Sequence, residues 1–133
     1  MAEIIINVDY TTNYAAAPAN GEIACVVTAK TFPELQAEME SSLREHIAWM
    51  KRDGDTIPEE FQGEWSFKWN LSVRAMLHYT EGLVSRAAIA KAAGVNQQQL
   101  THYASGYRSP RLAMRRKIQK GLNSIVQQLS ILL

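Results

Sequence analysis

The stretch Arg86-Ala-Ala-Ile-Ala-Lys-Ala-Ala-Gly-Val-Asn-Gln-Gln-Gln-Leu-Thr-His-Tyr-Ala-Ser-Gly-Tyr-Arg-Ser-Pro-Arg111 decides the fold of the second half of the chain. Ser85 precedes it as an N-cap, with Val84 and Ile89 spaced to form a hydrophobic staple across the cap. A helix then runs from Arg86 to Ala93 and meets Gly94, which tolerates the positive φ that a tight turn demands. Asn96 caps the next helix, Gln97 to Ser105, with Gln99 at the capping-box position and Val95 and Leu100 as a second staple. Two helices that cross steeply through so short a turn need a small residue where their backbones approach, and Ala90 stands there. Ile89, Ala93, Val95, Leu100 and Tyr103 are the apolar positions expected around it. A plain helical hairpin would share the glycine-ended helices. The register of alanine, glycine and five apolar positions, followed by a basic helix, predicts a helix-turn-helix.

On the N-terminal side of this motif, Val73 to Thr80 reads as a helix closed by Glu81-Gly82. On the other side, Ser109 is expected to cap a last helix with Pro110 at its first position. Pro110 to Leu133 is helical by propensity, and Met114, Ile118, Leu122, Ile125, Leu129 and Leu132 recur at spacings of four and three, close to a coiled-coil seam. Val126, Ile131 and Leu133 widen that stripe. Part of it covers the helix-turn-helix core, and the rest is available to a second copy of the chain. Gly121 weakens the helix by roughly 1 kcal/mol relative to alanine and marks a candidate break.

Charge divides the chain sharply. Up to Lys68 there are 12 acids and 5 bases, a net −7; beyond it there are 9 bases and one acid, Glu81, a net +8, which together give the overall +1. Such asymmetry points to nucleic acid on the basic side. No apolar run approaches the roughly 20 residues of a membrane helix, and the opening Met-Ala-Glu-Ile-Ile-Ile lacks the features of a signal peptide. One cysteine, Cys25, can form neither an internal disulfide nor a zinc site by itself. The expected compartment is the cytoplasm, with no membrane partner.

The acidic half reads as a small sheet with one helix. Glu3 to Tyr10 is a β-branched strand; Thr11 to Pro18 is a turn leading into a weaker extended piece; Asn20-Gly21 turns the chain into a third strand, Glu22 to Ala29. Thr31 with Glu34 forms a capping box, and Phe32, Leu35, Met39, Leu43, Ile47 and Met50 make one apolar stripe along the helix that follows. Asp53 to Gly63 is a polar connector, and Trp65 to Leu71 alternates aromatic and polar residues as a half-buried strand. The fold class is therefore α+β: a β-β-β-α-β domain over residues 1–71, then an all-α helix-turn-helix domain over residues 72–133. The acids Asp9, Glu22, Glu38, Glu45 and Asp53 invite a metal-nuclease reading, but a two-metal site needs carboxylates from several neighbouring elements, and the last strand supplies none. No nucleophile–base pair, metal site or cofactor motif is present, so no enzyme is expected.

A helix entering the major groove presents its N-terminal residues to base edges. Here those are Gln97, Gln98, Thr101 and His102, with Asn96 at the cap. Glutamine can bond adenine in bidentate fashion and threonine can offer its methyl to thymine. Arg86, Tyr107 and Arg108 stand where they would meet phosphates, contacts that position without reading sequence. Double-stranded DNA is the expected partner, bound by a homodimer or larger oligomer that reads two half-sites.

The residues Ala93 to Pro110 resemble the Xre-type helix-turn-helix of lambdoid phage repressors, in which a pair of glutamines opening the recognition helix contacts bases; the match falls on Gln97 and Gln98, and the later contact position on His102. Cys25-Val-Val-Thr-Ala-Lys-Thr-Phe-Pro-Glu-Leu35, Leu43-Arg-Glu-His-Ile47 and Asp53-Gly-Asp-Thr-Ile-Pro58 resemble the N-terminal domain of HicB antitoxins. That resemblance implies a partial RNase H-like β-β-β-α-β fold, a HicA-like ribonuclease toxin as partner, and repression of the chain's own operon. The alternative it leaves is a stand-alone Xre-family regulator with no toxin. The family's usual Pro-Gly-Cys before the third strand is here Ile23-Ala24-Cys25, and no toxin-contact residues are assigned.

Overall fold

A computed structural model describes the whole chain, Met1 to Leu133. It is a mixed α/β protein with one four-stranded sheet and five α-helices. The contacts divide it into two compact units, Met1–Ser72 and Val73–Leu133. No helix is long and apolar enough to cross a membrane.

In the first unit, strands β1 (Ala2–Tyr10), β2 (Tyr14–Pro18), β3 (Val27–Ala29) and β4 (Trp65–Leu71) lie in the order β3-β2-β1-β4. The strands pair antiparallel except β1 with β4, which run parallel from Ala2↔Trp65 to Val8↔Leu71. Helix α1 (Phe32–Arg52) starts where the Thr31 hydroxyl accepts from the Glu34 amide at 3.3 Å. Its stripe of Phe32, Leu35, Met39, Leu43 and Ile47 is buried, as are Ile4, Ile6 and Val8 of β1 and Tyr14 and Ala16 of β2. Alternate residues of β1 and β4, among them Glu3, Asn7, Lys68 and Asn70, are exposed, so the sheet is covered on one face.

Two expectations need correction here. The third strand is three residues long, although Ile23, Cys25 and Val27 alternate buried with exposed neighbours. The Ile23 amide donates to the Asn20 carbonyl and the Cys25 amide to the Ile23 carbonyl, so this backbone bonds locally and joins no ladder until Val27. A period of two reports where side chains point, and it does not by itself make a strand. Burial pushes the Cys25 thiol above its ordinary value, which keeps it protonated and inert at neutral pH. The polar connector, in turn, hides a core residue. A single 3-10 turn, Glu59–Phe61, buries Phe61 against Trp65, edge to face with ring centroids 4.6 Å apart.

The second unit consists of α2 (Val73–Tyr79), α3 (Arg86–Ala93), α4 (Gln97–Ser105) and α5 (Leu112–Ser130). Val73, Leu77, Ile89, Ala90, Leu100, Tyr103, Ala104 and Ile118 form its core, with Val84, Val95, Met114, Leu122 and Ile125 packed around them. The apolar stripe of the last helix thus divides: its first half covers this core, whereas Val126, Leu129, Ile131 and Leu132 remain exposed. Helix α5 begins at Leu112, three residues beyond the expected Ser109 cap. Arg111 is its cap, with ψ 165°, and that extended residue keeps Pro110 out of the first turn.

Gly121 does not break the helix. α5 runs through it without interruption, and a Cβ built there would lie 2.7 Å from the Ala93 backbone nitrogen and 2.8 Å from its Cα. The residue is glycine because α3 and α5 touch backbone to side-chain position at this point. Propensity alone says that Gly121→Ala stabilises by up to ~1 kcal/mol. We expect the opposite sign, a loss of about 1–3 kcal/mol from overpacking against rigid backbone. Urea unfolding of the two proteins measures it, and a raised midpoint for the alanine variant would show that the helices can separate at little cost.

Candidate nucleic-acid interface

The geometry of α3 and α4 follows from three local devices. The Ser85 hydroxyl accepts from the Ala88 amide at 3.1 Å and starts α3. Gly94, at φ 69° and ψ 36°, ends it. The Val95 amide reaches back to the Ala90 carbonyl at 3.0 Å and the Gly94 amide to that of Lys91, the paired bonds of a Schellman cap. The Asn96 carboxamide oxygen then accepts from the Gln98 amide at 2.8 Å and starts α4. Between the two helices lie only Gly94, Val95 and Asn96.

Helix α4 buries Leu100, Tyr103 and Ala104 and leaves Gln97, Gln98, Gln99 and Thr101 exposed. The Thr101 hydroxyl bonds to the Gln97 carbonyl of its own helix at 3.4 Å, so its methyl is the group left for an outside contact. The side chain of Asn96 is occupied by its capping bond and serves the helix before any ligand. His102 is half-buried, its ring edge-on to Tyr107 at 5.0 Å, and the Arg108 guanidinium lies 5.9 Å from the Tyr107 ring centre. The expected residues therefore fall into two groups. Gln97, Gln98 and Thr101 share the open N-terminal part of α4, while His102, Tyr107 and Arg108 lie together at its end.

Arg86 stands apart from both. It donates to Glu81 at 2.7 Å, with its side chain 29% exposed, and must leave this partner to meet an anion. Exposed ion pairs contribute little, so the exchange is cheap. The sequence reading missed a basic groove of about 390 Å³ that Arg108 shares with Arg111 and Lys117, beside Tyr103, Ser109 and Met114. Its signal was present: Arg111, Arg115, Arg116, Lys117 and Lys120 place five cations within ten residues. The heptad reading of α5 took account of the apolar positions only. The amides of the first turn of α5, which no side chain caps, add partial positive charge near the same place. No three His, Cys, Asp or Glu side chains gather as a metal site would need.

This arrangement can approach an anionic polymer with its cations and probe it with amide side chains. If it does so on DNA, Gln97→Ala or Gln98→Ala should cost ~1–3 kcal/mol on a preferred sequence and little on random DNA. Arg108→Ala or Lys117→Ala should weaken both alike and flatten the salt dependence by about one ion. Filter binding on both DNAs across a salt series reads these effects. Equal losses on the two DNAs for the glutamine variants would remove α4 as the reading helix.

Comparison with protein-family models, with curated proteins and with solved structures finds no match to this chain.

Proposed function

We propose that the chain is a sequence-specific DNA-binding transcriptional repressor of the HicB antitoxin type, acting as a homodimer in the cytoplasm. Its main support is the exposed row Gln97, Gln98 and Thr101 on a helix whose opposite side is buried, within a unit of net charge +8. In this mechanism α4 lies in the major groove, as the second helix of an Xre-like helix-turn-helix. Arg108, Arg111 and Lys117 take phosphates and fix the register. The glutamines bond adenine edges and the Thr101 methyl meets thymine. Cations released from the phosphates supply most of the affinity, and the amides supply the choice of site.

The first unit then serves as a partial RNase H-like domain of the HicB kind with a binding role and no catalytic one. Its net charge of −7 suits a small basic HicA-like toxin, since opposite charge speeds association and narrows the choice of partner. A stand-alone regulator is the second reading. The departure at Ile23-Ala24-Cys25 favours it, because Ile23 and Cys25 are both buried in the unit's own core.

Titrating the purified protein against its own upstream DNA and a scrambled control, over a range of salt, tests the first proposal. We expect preference for the upstream DNA and a steep loss of affinity as salt rises. Indifference between the two DNAs at low salt would end it. Co-expression with a short basic protein from the neighbouring reading frame separates the two readings: co-purification supports the antitoxin, and its failure leaves the stand-alone regulator.

A further inference from the structure

The groove that Arg108, Arg111 and Lys117 share offers more than a DNA backbone uses. Its volume of about 390 Å³ falls in the range of small-molecule pockets. Three cations meet in it without an acid: the one acidic side chain of Val73–Leu133 is Glu81, which is held by Arg86. Like charges gathered in one hollow repel until an anion enters. Ala113 and Met114, which also line it, are the second and third residues of α5, and no side chain caps that helix. Their amides are among those a helix leaves free at its start, so an anion here meets directed donors as well as charge. The rest of the wall is apolar, formed by the side chains of Ala113 and Met114 and by Tyr103.

We propose that this groove binds a free nucleoside di- or triphosphate, and that the nucleotide displaces DNA from the cations it occupies. A phosphate of a duplex carries one charge, and its neighbours are spaced along a stiff strand. A nucleotide brings two or three directly linked phosphates, and hence several charges, into a single hollow. The arginines and the lysine then bond to its oxygens together with the first-turn amides of α5. A duplex also keeps its bases stacked away from any site that meets its backbone, which leaves Ala113, Met114 and Tyr103 uncovered. The base of a free nucleotide has an open face and can lie on that wall, as unstacked bases do on apolar and aromatic side chains. Lys120 stands on the same helix three residues beyond Lys117 and does not line the groove, so the site is narrower than the basic stretch around it. Displacement of DNA rests on the DNA reading; binding of the nucleotide does not.

Isothermal titration calorimetry of the full chain with magnesium-free ATP tests the site. We expect saturable one-to-one binding with a Kd below about 1 mM, and a weaker affinity than that overturns the inference. Pyrophosphate should bind at least about tenfold more weakly, because it leaves the apolar wall uncovered. Equal affinity for the two would reduce the groove to a phosphate site and overturn the nucleotide. Lys117→Ala should weaken ATP binding at least about tenfold, while Lys120→Ala, with the same loss of charge on the same helix, should change it less than about twofold. Equal losses would mean that ATP follows the general field of the unit, which overturns the site. Ala113→Glu is a second variant. A carboxylate suits the first turn of a helix, so α5 should form and circular dichroism should be unchanged, yet ATP binding should be lost. Anisotropy of labelled upstream DNA keeps the two proposals apart. At constant ionic strength, ATP should release the DNA over the concentrations that fill the groove; ATP and DNA bound together overturn the displacement. DNA preference without ATP binding removes the groove alone. ATP binding with no DNA preference supports the groove and removes the DNA reading.

Discussion

Ala93 and Gly121 leave no room for a methyl group between α3 and α5, and much of the second unit depends on that approach. With only eight residues, α3 is far shorter than a helix needs to persist in water. Its stability comes from Ile89 and Ala90 in the core and from the helix laid against it. Once α3 is fixed, the left-handed residue at Gly94 and a three-residue connection leave α4 few directions to take. The exposed glutamines are thus aimed by a contact more than twenty residues further along the chain.

Charge contributes little to holding the protein together. No charged or polar residue is buried; the ion pair Arg44–Glu40 is largely exposed and Arg86–Glu81 partly so. Surface pairs of this kind stabilise by at most about 1 kcal/mol. The opposed charges of the two units therefore act outward, on whatever approaches each one, through fields that reach about a Debye length, ~8–10 Å, into salt solution.

The local devices of the second unit were readable from the residues because each is short-range. Ser85, Gly94, Asn96 and Gly106 act within four positions of themselves, and the apolar residues between them follow a simple helical period. Gly121 misled because its reason lies on another helix; within its own helix it looks only like a weak point. Phe61 was hidden for a related cause. A lone aromatic among acids and a proline carries no period, and only the placement of Trp65 shows why it is buried. The brevity of β3 is a matter of which backbone groups bond to which, and side-chain alternation is silent on that. The grouping of His102 with Tyr107 and Arg108 also needed the turn after α4, whose path no local rule fixes.

The parallel pairing of β1 with β4 has a consequence for how the chain is made. Asn7 meets Asn70 across 63 residues of sequence, and β4 is the neighbour that β1 lacks on that side until synthesis has passed Leu71. Closing so long a loop comes late in folding, because its entropy must be met before any contact is gained. On the ribosome, Ile4, Ile6 and Val8 wait with one edge open while α1 is being produced. In the second unit α3 likewise waits for α5, which reaches it at Ala93 only when Gly121 has been made. A nascent chain halted before Trp65 would thus carry an open strand edge, the kind of surface that chaperones hold and that proteases or other unfinished chains find first.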